Sequence, residues 1–339
     1  MDLPSTIAAT LIFMPRVLII GDVINDILAV VPGSLRPGED NAATIVTRAG
    51  GSAANQAAWL ASLGVDVAFA GRAGAADAAF HRQELARFGV EPHVAADESA
   101  PTGSIVVLTG PDGERTMITS RGANLNLRGA DVPAALLDRT DLLHLTGYTL
   151  FEPGTRPVAR GLIAAAARRG IPFTVDPGSA AFLAALGPGE FLEWTGSAAV
   201  CFPNHDEAVV LTARSASRPE ARLPDASLPD ASRPEASRPD AIAANPESLA
   251  AGLARHYGVV ALKLGPDGAM IAASATEPVK VPAAPALVRD TTGAGDAFCA
   301  GFLAAWLVGA GLTAAAGEGT RAASRAVALL GGRPAPDHG

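Results

Sequence analysis

Asp290-Thr291-Thr292-Gly293-Ala294-Gly295-Asp296-Ala297-Phe298 is the stretch on which the reading of this chain turns. It follows a β-prone segment ending near Val288 and opens the Ala-rich run Asp296–Val308, which predicts a helix. Gly293 and Gly295 let the backbone turn tightly and let a ligand approach it closely. The first amides of a helix lack intrahelical acceptors, and together with the helix dipole they make an anion site. Gly293, Ala294 and Gly295 are therefore candidates for holding a phosphoryl group, with Asp296 beside them in the first turn. A carboxylate placed there can take a hydroxyl proton while the amides stabilise charge on the transferred group. An aspartate at a helix start is also a common stabilising choice, and Gly-X-Gly alone is weak evidence. No Gly-Lys-Ser/Thr follows, so the loop is not a Walker A loop.

Upstream, short apolar runs read as buried strands: Val17–Ile20, Val67–Ala70, Leu142–Leu145, Phe173–Val175, Ala198–Phe202 and Val259–Leu264. Helical stretches lie between several of them, at Ala53–Leu63, Phe80–Phe88 and Val158–Arg169. Alternating strands and helices predict βαβ units and a mostly parallel sheet covered on both faces. Residues 24–48 and about 98–121 break that rhythm with turn residues and short β-prone runs. Ser104–Thr109 and Arg115–Thr119 flank Gly110-Pro111-Asp112-Gly113, a hairpin signal. These two regions are expected to form a small β-sheet appended to the main layer. A second helical stretch, Thr313–Leu330, closes the chain.

Residues 217–241 form a pentapeptide array, SRPEA-RLPDA-SLPDA-SRPEA-SRPDA. A proline in every unit breaks helix and ladder alike, and too few apolar groups remain for a core. The array is expected to be a disordered insertion. At the other end, Ile7–Met14 is apolar apart from Thr10 but lacks the preceding basic segment of a secretory signal. Residues 1–13 are expected to be an extension, with Met14 as an alternative start. No apolar run approaches membrane-spanning length. The net charge of −8 lacks the basic excess of a nucleic-acid binder. Cys201 and Cys299 lack metal-ligand spacing and suit a reducing compartment, so the protein is expected in the cytoplasm.

The nonapeptide at 290–298 resembles, almost letter for letter, the C-terminal signature of the ribokinase-like (PfkB) kinases. The similarity extends over roughly 14–332. It implies a three-layer α/β/α fold with a mostly parallel central sheet and a small β-sheet lid. It also implies transfer of the ATP γ-phosphate to a sugar or sugar-like alcohol, with Asp296 as general base. Gly50-Gly51-Ser52-Ala53-Ala54-Asn55-Gln56-Ala57 is similar to the family's first glycine motif. There the resemblance makes Gly50, Gly51 and Asn55 substrate contacts, with a bare helix cap as the plainer alternative for Asn55. Asp26, in Gly21-Asp22-Val23-Ile24-Asn25-Asp26, stands where the family holds substrate hydroxyls, or is a turn residue.

Asn204-His205-Asp206-Glu207 resembles the Asn-x-x-Glu motif, which would act on Mg²⁺ through bound water; a cap and a surface Glu is the plainer alternative. Lys263-Leu264-Gly265-Pro266-Asp267-Gly268 resembles the glycine turn near the nucleotide, and with Thr292 it makes Lys263, Gly265 and Gly268 nucleotide candidates; a plain hairpin turn remains open. Some relatives bind a monovalent cation such as K⁺ near the segment matching Asp290–Thr292. A homodimer through the lid is a further expectation from relatives.

The pattern also departs from the family. The acidic pair after the second long strand is replaced by Gly71-Arg72-Ala73-Gly74-Ala75-Ala76-Asp77. Ser52 stands where ribokinases carry Lys. His144-Leu145-Thr146-Gly147-Tyr148 looks more like 2-keto-3-deoxygluconate kinases, yet their Asp-x-Asn-x-Arg is here Asp176-Pro177-Gly178-Ser179. The acceptor is therefore not inherited from either relative. A nucleoside kinase is the first alternative, weakened by an aromatic content of only 5%. A sugar-binding or scaffold protein without turnover is the second. An arginine in the 115–124 region, such as Arg121, would suit an acidic or phosphorylated acceptor, and a solvated surface arginine is an equally good reading.

Overall fold

The apolar runs become the strands of one large sheet. The computed structural model describes residues 15–36, 38–109, 115–213 and 245–335. The extension 1–13, Met14, the turn Gly110–Gly113 and the repeat at 217–241 lie outside the described residues. The strands are β1 (Arg16–Ile20), β2 (Ile24–Val30), β3 (Thr44–Gly50), β4 (Asp66–Gly74), β5 (Glu91–Asp97), β6 (Gly103–Thr109), β7 (Arg115–Ser120), β8 (Leu142–Thr146), β9 (Phe173–Asp176), β10 (Val200–Cys201), β11 (Val259–Lys263), β12 (Ala269–Ala273) and β13 (Val279–Val281).

Among the described residues, nine of them form a sheet ordered β13-β12-β11-β10-β9-β8-β1-β4-β5. It is parallel from β11 to β5 and ends in the antiparallel strands β12 and β13. Both faces are covered, as a parallel sheet requires. Alternation along β1 divides the core: Val17 and Ile19 join one apolar cluster, Leu18 and Ile20 the other. The first cluster packs the helices Ser52–Ser62, Ala294–Leu307 and Leu312–Val327. The second packs Arg156–Arg168, Ala180–Leu186, Pro188–Thr195, His205–Thr212 and Pro246–Leu253. This is the expected three-layer α/β/α sandwich.

The remaining strands form a second sheet, ordered β3-β2-β6-β7. β2 and β3 pair antiparallel over seven residues, from Ile24 opposite Gly50 to Val30 opposite Thr44. β2 and β6 run parallel, and β6 and β7 form the hairpin. β2 leaves the end of β1 after only three residues, and β3 leads directly into the helix Ser52–Ser62. The root of the small sheet is thereby fixed beside the C-terminal edge of the large one, where ligands bind in open α/β sheets.

Candidate active site

Three chain segments, far apart in sequence, meet at that edge. Gly293 caps the helix Ala294–Leu307 with φ +75°, a left-handed conformation that favours glycine. A Cβ there would lie 2.5 Å from the Cα of Gly332, so the C-terminal segment packs directly on the turn. The Ala294 amide makes a long turn bond to the Thr291 carbonyl (3.3 Å). Asp290 braces the loop from behind, accepting from the Thr292 amide (2.8 Å) and the Gly331 amide (2.9 Å).

Asp296 faces the start of the helix Ser52–Ser62. Its Oδ1 accepts from Ser52 Oγ (2.7 Å) and Gln56 Nε2 (3.1 Å), and its Oδ2 accepts from Asn55 Nδ2 (3.1 Å). The carboxyl group is pushed up to about 7 by burial. The Ser52 hydrogen bond opposes that rise, the charge of Asp176 adds to it, and Gln56 and Asn55 oppose it further. A carboxylate that holds its proton near neutrality is suited to exchanging one with an alcohol.

The acceptor candidates lie close by. Gly50 packs against Asp26 so tightly that a Cβ there would stand 2.0 Å from Asp26 Oδ2. Asp26 is 7% exposed, and burial, with Asp22 and Asp290 adding to it and Arg333 opposing, pushes it up to about 7. Asn55 Oδ1 is buried without a hydrogen-bond partner, as is Thr146 Oγ1. Buried polar atoms are normally paired, so these mark places where a polar ligand or water belongs. Asp22 caps the helix Ser52–Ser62 from outside, accepting from the amides of Ser52 (3.2 Å) and Ala53 (3.3 Å). Arg121 lies 3.6 Å from Asp22 and 4.4 Å above the Tyr148 ring. Gly51, with φ +98°, leads into that helix with its missing Cβ against the Asp22 carbonyl (2.5 Å).

The nucleotide candidates are split by the structure. Asn204, Lys263 and Gly265 line a cavity of about 420 Å³ together with His205, Asp206 and Lys280. Gly268 instead turns the chain between β11 and β12 and packs on the Val281 carbonyl (2.0 Å to a built Cβ). The Lys263 side chain turns inward, and its Nζ reaches both oxygens of Asp176 (3.0 Å each). It lies 3.5 Å from where a Gly295 side chain would begin, directly behind the Gly293–Gly295 turn. Burial alone would lower the Lys263 ammonium, but Asp176, Cys299 and Glu207 together raise it.

Asn204 and Glu207 form a reciprocal helix cap. Asn204 Oδ1 accepts from the Glu207 amide (2.8 Å), and Glu207 accepts from the Asn204 amide and side chain (2.9 Å each). Glu207 is 1% exposed and raised by burial. Among the described residues no group of three or more His, Cys, Asp or Glu is placed to hold a metal ion. No helix among them is long and apolar enough to cross a membrane.

Several participants carried no signal in the sequence. Asp176, which marks only a missing motif in the sequence, is the partner of Lys263 and is bridged to Asp296 by Gln56. Gln56 lies inside the glycine motif, but its contacts span about 90 to 240 positions of sequence. Arg72, at the site of the missing acidic pair, is held by Asp97 (2.7 Å) and Asp131 (2.9 Å) and is structural.

A two-layered helical cover on a mostly parallel sheet, a small sheet at its ligand edge and a glycine loop leading to a half-buried aspartate define a ribokinase-like fold. The adenosine kinase of Sinorhizobium meliloti has the same fold, with a TM-score of 0.77, 24% identity, and coverage of 95% of this chain and 96% of that one. The model of the pfkB family carbohydrate kinases matches residues 14–337, and the chain belongs to that family of kinases. It is 29% identical to an ATP-dependent ribose-1-phosphate kinase of Halopiger xanaduensis over 261 residues, 76% of this chain and 73% of the relative. It is 28% identical to a ribokinase of Arabidopsis thaliana over 304 residues, 87% of this chain and 71% of the relative.

Proposed function

We propose that the protein moves the γ-phosphate of ATP to a hydroxymethyl group of a sugar or sugar-like acceptor, with Asp296 as the base. The observation that carries this reading is the Asp296 carboxylate itself. It stands in the first turn of a helix capped by Gly293 and carrying Gly295 in that same turn, and is held by three donors of the opposing helix. Oδ2 receives one hydrogen bond where Oδ1 receives two, so Oδ2 is the oxygen with capacity left for the alcohol proton. The amides around 293–295 stabilise the charge that develops on the phosphoryl group. Gly50, Gly51, Asp26 and Asn55 orient the acceptor.

ATP lies along the cavity lined by Lys263 and Gly265, with Thr292 at its phosphate end and Gly268 shaping the turn. The residues near Asn204 and Glu207 fit Mg²⁺ held mainly by water and phosphate, because Glu207 spends both oxygens on Asn204. When bound, Mg²⁺ shields phosphate charge. K⁺ near Asp290 belongs to the same reading.

Residues 14–332 act as one kinase domain, with lid segments at about 24–48 and 98–121. The lid excludes water, the competing acceptor. Exposed Ile45, Met117 and Ile118 on the small sheet favour a lid-to-lid homodimer, and the compartment is the cytoplasm. Arg121, stacked on Tyr148 beside Asp22, favours an acceptor that already carries a phosphate or carboxylate, in keeping with the ribose-1-phosphate kinase relative.

The test is ADP formation from ATP and Mg²⁺ over sugars, sugar phosphates, keto-deoxy acids and nucleosides, with Asp296→Asn in parallel. Turnover on a sugar class that the variant loses is expected. Turnover only on nucleosides would replace the acceptor, and an active Asp296→Asn would remove Asp296 from its role.

A further inference from the structure

One side chain connects the proposed base to the charged interior of the sheet. Gln56 is 1% exposed, and its Nε2 lies 3.1 Å from Asp296 Oδ1, 3.0 Å from Asp176 Oδ2 and 3.2 Å from Ser52 Oγ. A primary amide has two N–H groups, and an ionised carboxylate only accepts. The two hydrogens therefore go to the two carboxylates, and Oε1 points the other way, to Nε2 of His144.

That orientation fixes the tautomer of His144. Its Nε2 carries the hydrogen, and its Nδ1 accepts from Thr174 Oγ1 at 2.7 Å. His144 is fully buried, and burial lowers it to about 4, which favours the neutral ring near neutral pH. Asp176 is held from the far side by Lys263 Nζ (3.0 Å to each oxygen) and by Cys299 Sγ (3.4 Å). Thr174, His144, Gln56 and the two carboxylates thus share one consistent arrangement of hydrogens.

We propose that Gln56 is the positioning residue of the phosphotransfer site: clamped by His144, it holds Asp296 and Asp176 apart through one amide and sets the basicity of Asp296. The proposal rests on the reading of Asp296 as base. The groups that face Asp296 are Ser52, Asn55 and Gln56 from the opposing helix, Asp176 from β9 and Cys299 from its own helix. Lys263 stands behind Asp176 on β11, with Glu207 beyond it. Asp22 and Tyr148 face the site from the acceptor side, and His144 acts through Gln56. Within this set Asp176 and Gln56 pull in opposite directions. The negative charge of Asp176 favours the protonated form of Asp296, whereas the amide of Gln56 favours the ionised form.

The experiment is a ¹³C carboxyl titration of the full chain labelled at aspartate, the Asp296 signal being assigned by its disappearance in Asp296→Asn. Gln56→Met is expected to raise the midpoint of Asp296 by about one pH unit, the loss of one charge-assisted hydrogen bond. Asp176→Asn is expected to lower it by a similar amount. A purely structural Gln56 would leave the midpoint in place while thermal stability fell, and that result overturns the proposal. If Asp176→Asn does not fold, Gln56→Met decides alone: a rise supports the proposal, and an unchanged or lowered midpoint refutes it. The titration needs no turnover, so its failure is separable from failure of the base reading, which an Asp296→Asn enzyme still forming ADP would show.

Discussion

Replacing Asp296 by Asn should make the protein inactive and, at alkaline pH, more stable. Burial raises the Asp296 carboxyl group from 3.8 to about 7, so ionising it in the folded protein is costly. A shift of about three units at roughly 1.4 kcal/mol each sets an upper bound of about 4 kcal/mol on that cost above pH 8. Asn reproduces the neutral form. Its carbonyl oxygen can accept from Ser52 and Gln56 as Oδ1 does now. Its amide would face the Asn55 amide, but Asn55 Oδ1 is partnerless, and turning that side chain over restores the pair. After allowing for imperfect repacking, a gain of about 2 kcal/mol is expected, or about 4 °C in Tm at roughly 2 °C per kcal/mol.

The sign follows from proton linkage. Between pH 4 and 7 the folded wild type holds a proton that the unfolded chain has released, so wild-type stability from this group is full below about pH 4. It is lost as pH rises through 7. The difference between variant and wild type is therefore largest at pH 8 and closes toward pH 4. Scanning calorimetry of both proteins at matched scan rates across that range measures it, and ADP formation on the same samples should fall by at least about 10²-fold. A variant no more stable than wild type at pH 8, or a difference that ignores pH, would refute the electrostatic account of Asp296.

Two further substitutions probe the surroundings. Gly50→Ala introduces a Cβ 2.0 Å from Asp26 Oδ2 at a position without positive φ. It should fold, raise KM for the acceptor by about 10-fold or more, which is the loss of one good hydrogen bond to a charged group, and leave KM for ATP unchanged; initial-rate kinetics with each substrate varied separates the two. Lys263→Met removes the cation that pairs with the buried Asp176 carboxyl group, a change that typically costs about 3–5 kcal/mol. Chemical denaturation should show that loss, and an unchanged midpoint would mean that Lys263 is dispensable to the interior.

The fold was legible because it is written locally. Val17–Ile20 is a continuous apolar run, and Leu142–Leu145 and Val259–Leu264 are apolar but for His144 and Lys263; a sheet buried on both faces absorbs such runs, and they became β1, β8 and β11. β2 and β3 were visible only as short β-prone runs, because strands of the small sheet bury less. Six successive residues of β3, Thr44–Arg48 and Ala49, are exposed or only half-buried, so no apolar alternation marks it. β5 carried still less, since Glu91-Pro92-His93 opens it with polar and turn-forming residues.

The site divides along the same line. Its glycines and Asp296 stood out because a tight turn before a helix needs residues of a particular kind at particular spacing. The residues packed around it did not, because electrostatic pairing imposes no spacing. Asp176 and Lys263 are 87 positions apart, and Gln56 and Asp296 are 240 apart. What joins them is the parallel order of β8, β9, β10 and β11, which sets His144 beside Thr174 and runs β9 and β11 on either side of β10, with Asp176 at the end of one and Lys263 at the end of the other. A half-buried lysine at the end of a strand has no local reason to be there; once the strand order is known, it has an ion-pair partner in Asp176, and that partner is the charge that faces the proposed base.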